Sequence, residues 1–184
     1  MTIPNYITIL RLLLVPFVVW AMLSGHQFTA FLGFVTAGVS DGVDGYIARR
    51  YDMKSELGTY LDPVADKLLL VSVFIVLAYQ EMLPLWLVAM VVFRDGLIVS
   101  AVMLSAVMGR PVEMHPLFVS KANTATQITL AALVLANHGF DFQTVTAVGL
   151  LVGLVALLTA ASTAAYLVTW LKHMADDGQE TLKD

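Results

Sequence analysis

Apolar and polar positions alternate in long blocks along this chain rather than residue by residue. Six mostly apolar stretches stand out: Ile7 to Leu23, Phe28 to about Arg49, Pro63 to Tyr79, Leu83 to Met108, Thr124 to Ala136, and Val145 to Trp170. The fifth is short unless it starts near Lys121. A membrane-spanning helix needs about 20 mostly apolar residues, so the pattern predicts six such helices. The breaks are small and turn-like: Ser24-Gly25-His26-Gln27, Gln80-Glu81 and Asn137-His138-Gly139. Short breaks favour antiparallel neighbours in one bundle. Pro4 to Thr8 reads as a short interfacial N-terminal segment. A signal peptide would carry positive charge ahead of its apolar run, whereas Met1 to Tyr6 has none and Arg11 lies inside the run. The predicted fold class is therefore an all-α integral membrane bundle of six transmembrane helices. Residues 1–174 form one membrane domain, and residues 175–184 form a polar, frayed cytoplasmic tail.

Composition supports that class. Of 184 residues, 59% are hydrophobic and 13% charged, against about 25% charged in soluble domains. The mean hydropathy is +0.81. Disordered chains and nucleic-acid binders with a basic surface are excluded. With no cysteine, there is no disulfide framework and no thiolate metal site. Arg11, Arg49, Arg50, Lys54, Lys67, Arg110, Lys121, Lys172 and Lys183 all fall at or near one side of the predicted bundle. The positive-inside rule makes that side cytoplasmic, with both termini and the loops Tyr51 to Leu61 and Gly109 to Ser120.

Charge is concentrated in one place. Ten of the 24 charged residues lie between Asp41 and Lys67. Asp41 and Asp44 are three apart and share a helix face with Gly45 and Ala48. Asp62 and Asp66 are four apart on the next helix, where Pro63 suits the first helical turn with Asp62 as its N-cap. Two antiparallel neighbours would bring the four carboxylates together. Such a group needs a counter-charge. Carboxylate oxygens select hard divalent ions such as Mg²⁺ or Mn²⁺, and two ions bridged by Asp residues form a clamp for phosphoryl chemistry. Gly45 and Ala48 let a ligand approach the helix backbone, and Arg49 offers a planar fork to phosphate. Ordinary solvated helix ends would not call for four acids in this spacing at the ends of apolar helices.

The pattern Asp41-x2-Asp44-Gly45-x2-Ala48-Arg49-x8-Gly58-x3-Asp62-x3-Asp66 resembles the signature of the CDP-alcohol phosphatidyltransferases at all eight fixed positions. The resemblance implies six transmembrane helices, a homodimer, and a cytoplasmic-side, metal-dependent active site. A substituted phosphate passes there from a CDP-linked donor to an alcohol, with release of CMP. It implies that Asp41, Asp44, Asp62 and Asp66 hold two divalent ions and that Asp66 is also the catalytic base. Asn5, Thr8, Gly45, Ala48, Arg49 and Gly58 would contact the donor nucleotide and phosphates. The implied setting is a multi-pass protein of a bacterial inner membrane, with the mitochondrial inner membrane as the other setting.

The acceptor is read from weaker signals. Arg94-Asp95 sits inside an apolar run, either as a self-neutralising core pair or with Arg94 facing an acceptor phosphate. Ser120-Lys121-Ala122-Asn123-Thr124 stands where glycerol-phosphate-using members typically show Gly-Lys-x-Lys-Thr. With Thr159 to Tyr166 it is similar to cardiolipin synthases of mitochondrial type. One lysine, Lys121, with Asn123 suits the single charge of a phosphodiester better than the double charge of glycerol 3-phosphate. Arg94, Arg110, Lys121 and Asn123 are the candidate acceptor residues. The implied partners are the lipids CDP-diacylglycerol and phosphatidylglycerol. The alternatives are glycerol 3-phosphate as acceptor, giving phosphatidylglycerophosphate, and, outside enzymes, a cation transporter. No nucleic-acid partner is expected. His26, His115, His138 and His173 show no ligand spacing and read as solvated or interfacial. Trp20, Trp86 and Trp170 read as belt anchors. Gly33 and Ala37 permit close helix packing or admit a lipid chain.

Overall fold

The structure is a computed structural model. It describes the backbone of residues 3–51, 56–107, 118–140 and 144–180, and the side chains of residues 9–40, 67–98, 100, 118–140 and 144–168. Among the described residues there are six α-helices and no strand: α1 (Ile3–Leu23), α2 (Gln27–Tyr51), α3 (Glu56–Tyr79), α4 (Leu85–Val107), α5 (Phe118–Phe140) and α6 (Val145–Glu180). Val145–Val168 is the one described segment long and apolar enough to cross a membrane by itself. Ile9–Leu23, Gln27–Ser40 and Lys67–Tyr79 are shorter apolar runs.

Packing follows a closed order: α1 on α2, α2 on α5, α5 on α6, α6 on α4, α4 on α3, and α3 back on α1. A further contact joins α3 to α5 across the middle. The bundle therefore comprises two four-helix groups, α1-α2-α5-α3 and α3-α4-α6-α5, which share α3 and α5. Val18, Met22, Phe34, Phe74, Leu130 and Leu135 are among the side chains that fill its core. Large apolar side chains also remain exposed on every helix, among them Leu13, Leu32, Ile75, Phe93, Ile128 and Leu157. The apolar content thus exceeds what the interior takes up.

The turns after α1 and α3 meet at one end, where the Gln80 amide donates to the Met22 carbonyl at 2.8 Å. Both have the same hydrogen-bond pattern. His26 N donates to Ala21 O and Gly25 N to Met22 O after α1; Met82 N donates to Leu77 O and Glu81 N to Ala78 O after α3. This closure needs a left-handed residue, and Gly25 supplies it at φ 77°, whereas Glu81 adopts φ 60° without being glycine.

Several predicted boundaries move. Pro4 to Thr8 belongs to α1 itself; Pro fits the start of a helix because its missing N–H has no partner there anyway. Asp62 does not cap α3 and Pro63 is not in its first turn, because α3 begins at Glu56. Pro63 removes one hydrogen bond, to the Thr59 carbonyl, and that does not end a helix extended on both sides. Pro16 is carried inside α1 in the same way. Of the expected loop from Tyr51 to Leu61, Tyr51 ends α2 and Glu56 to Leu61 belong to α3, and residues 52–55 lie outside the described residues. Asn137-His138-Gly139 is helical rather than a break. Gly139 lets α5 lie on α2: a Cβ there would stand 3.1 Å from Phe28 Cα. Phe140 then packs edge-on against Phe28, with ring centroids 5.1 Å apart. Helix α6 runs to Glu180, six residues into the expected tail. Gly33 serves close packing: a Cβ would meet Val18 Cγ2 at 2.9 Å.

Candidate functional site

Helix register sets the acidic residues in line with the buried stripes of the first group. On α2 the buried positions Ala30, Phe34 and Ala37 form one stripe. Its next positions are 41, 44, 45 and 48, which are Asp41, Asp44, Gly45 and Ala48. On α3 the stripe of Leu69, Leu70, Val73 and Leu77 runs back to Asp66 and Asp62. Helix α1, which packs on both, carries Arg11 on its own buried stripe with Val18 and Met22, and Arg11 is 1% exposed. At 1.5 Å per residue, Arg11, Asp66 and Asp41 lie about 18, 20 and 21 Å along their helices from the turn-bearing end, and Asp44 and Asp62 about 26 Å. Two helical layers of acids thus stand at the end opposite the turns after α1 and α3.

The side chains of Asn5, Thr8, Asp41, Asp44, Gly45, Ala48, Arg49, Gly58, Asp62 and Asp66 lie outside the described set, as does all of Arg110. Their backbone positions are fixed, Arg110 excepted: Asn5 and Thr8 in the first two turns of α1, the first acidic pair with Gly45, Ala48 and Arg49 late in α2, and Gly58 with the second pair early in α3. The described residues contain no cluster of three or more metal-ligating side chains. The four-Asp set fits a hard divalent ion by its chemistry, since all its donors are carboxylate oxygens placed on two helices joined by a four-residue link.

The second group contains a cationic network. Arg94 on α4 is 2% exposed. Its Nη1 donates to Asp95 Oδ1 at 2.6 Å. Its Nε and Nη2 donate to Ser162 Oγ on α6 at 3.2 and 2.7 Å, and Nη2 also donates to Ser120 Oγ on α5. The guanidinium carbon stands 5.8 Å from the Tyr166 ring centroid, within cation–π range. The other Asp95 oxygen pairs with Lys67 Nζ on α3 at 2.9 Å. One buried carboxylate therefore joins two cations, and helices α3 to α6 meet around it. The described contacts of Arg94 are all with the protein's own side chains. Lys121 is exposed, whereas Asn123 is buried and its Oδ1 accepts from Thr159 Oγ1 on α6 at 3.1 Å. Two residues apart on one helix, the two side chains diverge. Asn123 Nδ2 and both amide atoms of Gln127 are buried without a hydrogen-bond partner among the described residues. Lys67, Ser162 and Gln127 are not among the candidate site residues read from the sequence. Only the placement of Lys67 directly after Asp66 could have flagged it.

The sequence profile of the CDP-alcohol phosphatidyltransferases matches residues 1–174. The chain belongs to the CDP-alcohol phosphatidyltransferase family. Among curated members of this phosphatidyltransferase family, the chain is 36% identical over 91% of its length to a Schizosaccharomyces pombe protein, "Cardiolipin synthase (CMP-forming) / mitochondrial hydrolase fusion protein", of which it covers 31%. It is 33% identical over 90% of its length to the Homo sapiens cardiolipin synthase (CMP-forming), of which it covers 60%. It is also 33% identical over its whole length to a Pseudomonas fluorescens phosphatidyltransferase, CDP-diacylglycerol–glycerol-3-phosphate 3-phosphatidyltransferase, covering 97% of that protein. The chain thus spans less than two thirds of the length of the first two relatives.

Proposed function

We propose that this protein is a membrane-embedded phosphatidyltransferase that moves the phosphatidyl group of CDP-diacylglycerol to phosphatidylglycerol, forming cardiolipin and CMP. The observation that carries this reading is the eight-position acidic signature, falling on the continuation of the buried stripes of α2 and α3. The acceptor choice rests on Ser120-Lys121-Ala122-Asn123-Thr124 and on the relatives named cardiolipin synthase.

Asp41, Asp44, Asp62 and Asp66 would hold two Mg²⁺ or Mn²⁺ ions, which neutralise the donor pyrophosphate and the charge on departing CMP. Asn5, Thr8, Gly45, Ala48, Arg49 and Gly58 bind and orient the nucleotide and its phosphates. Asp66 takes the proton from the acceptor hydroxyl. That oxygen bonds to the phosphorus carrying diacylglycerol as the bond from this phosphorus to the CMP oxygen breaks, and CMP leaves with the electron pair. Arg94 contributes through its network, and Lys121, Asn123 and Arg110 border the acceptor. In this reading all six helices span a bacterial inner membrane, the protein acts as a homodimer, and the acidic end faces the cytoplasm. The exposed apolar side chains and the one-sided basic residues support it.

Phosphatidylglycerophosphate synthesis is the second reading, favoured by end-to-end coverage of the Pseudomonas relative. The test supplies purified protein with CDP-diacylglycerol, Mg²⁺ or Mn²⁺, and either phosphatidylglycerol or glycerol 3-phosphate, then measures CMP and identifies the lipid by mass. Cardiolipin with phosphatidylglycerol is expected. Product with glycerol 3-phosphate alone overturns the acceptor assignment, and no CMP with any alcohol overturns the enzyme reading.

A further inference from the structure

The cationic network has one positive charge too many for the single carboxylate at its centre. Asp95 faces both Arg94 and Lys67, and the other described partners of Arg94 are neutral hydroxyls and an aromatic ring. The two cations differ in what they can still do. Arg94 is 2% exposed, and its contacts come from α4, α5 and α6. Lys67 keeps 36% of its side chain exposed, and an ammonium has three donors, of which Asp95 engages one. An anion arriving at this network therefore meets Lys67.

We propose that Lys67 binds the phosphate of the acceptor, with Asp95 and Arg94 as positioning residues that hold its ammonium beside the reacting end. The inference rests on the phosphatidyl-transfer reading. Location favours acceptor over donor. The residues assigned to the donor lie on α1, α2 and the start of α3, in the first helical group. Lys67 is tied across to α4, on the α3-α4-α6-α5 side. Asp66, the base, is its immediate neighbour, and consecutive helical positions diverge by about 100°. A glycerol unit also holds its phosphate and its attacking hydroxyl apart, at opposite ends of three carbons. One helical step from anion site to base suits that spacing. The phosphate can be the diester of phosphatidylglycerol or the monoester of glycerol 3-phosphate, so both belong in the test.

The experiment compares wild type, Lys67→Met and Lys67→Arg in detergent, titrating each acceptor at saturating CDP-diacylglycerol and the donor at saturating acceptor. Loss of one charge-assisted hydrogen bond predicts a KM for the acceptor raised about ten- to a hundredfold in Lys67→Met. The donor KM and kcat should stay within about threefold, and Lys67→Arg should restore most of the loss. A structural role alone would lower kcat or the unfolding midpoint without this split. Lys67→Gln replaces Lys67→Met if the latter does not stay folded. An unchanged acceptor KM, or a raised donor KM, overturns the assignment. Binding of phosphatidylglycerol by native mass spectrometry keeps the two questions apart. Lys67-dependent binding in a protein that releases no CMP would sustain the anion site while removing the enzyme reading. CMP release whose acceptor KM is indifferent to Lys67 would do the reverse.

Discussion

Removing the Asp95 carboxylate should be the most damaging single change among the described side chains. Asp95→Ala leaves Arg94 as a buried cation whose remaining described hydrogen-bond partners are Ser162 and Ser120. Breaking one side of a buried pair costs about 3–5 kcal/mol. The Lys67 side of the bridge adds about 0–1 kcal/mol, because Lys67 is 36% exposed and solvent screens it. At about 2–4 °C per kcal/mol for a chain of this size, the apparent unfolding midpoint in detergent should fall by roughly 6–24 °C. The scan rate is held fixed, since unfolding of such proteins is commonly irreversible. The double variant Arg94→Met with Asp95→Leu removes both charges. Ser162 can then donate to the carbonyl one turn back in α6, as Thr163 already does to Thr159 O. The double variant should therefore be more stable than Asp95→Ala alone by about 2–3 kcal/mol. A midpoint within about 2 °C of wild type for Asp95→Ala, or additive losses in the double variant, would refute the network as a structural link.

Other predictions concern the site and the turns. Asp66→Asn should abolish CMP release while CMP binding by calorimetry persists; an active variant removes Asp66 as the base. Glu81→Gly should raise the midpoint, gaining about 0.5–1 kcal/mol from relief of the left-handed backbone net of glycine's entropy; a lower midpoint contradicts that account of the turn. Gly139→Ala should cost about 1–3 kcal/mol, because its Cβ meets Phe28 backbone. Gly149→Ala, with open space around it, should be neutral or stabilising by up to about 1 kcal/mol, and equal effects of the two would contradict the packing argument.

Six helices in order were legible because apolar blocks broken by turn residues leave little choice of element. The ends were less legible. Asn137-His138-Gly139 has turn composition yet stays helical, because Gly139 is required by contact with Phe28, which no local pattern reports. Pro63 looks like a start, but a helix extended from upstream absorbs it. The acidic residues were recognisable from spacing alone, since three- and four-residue intervals fix a helix face. Arg94 remained open between two readings, because only its neighbours decide whether a buried cation turns to a ligand or to its own protein.

The sequence by itself determined the helical class, the family and the acids, because hydropathy, periodicity and motif spacing are local along the chain. Only the tertiary structure decided how the helices close into two groups sharing α3 and α5. That arrangement places Ser120, Ser162 and Tyr166 around Arg94 and brings Lys67 to Asp95. These contacts join residues 26 to 72 positions apart. They exist because burying a charge requires a partner, and which partner is near is a property of packing rather than of order in the chain.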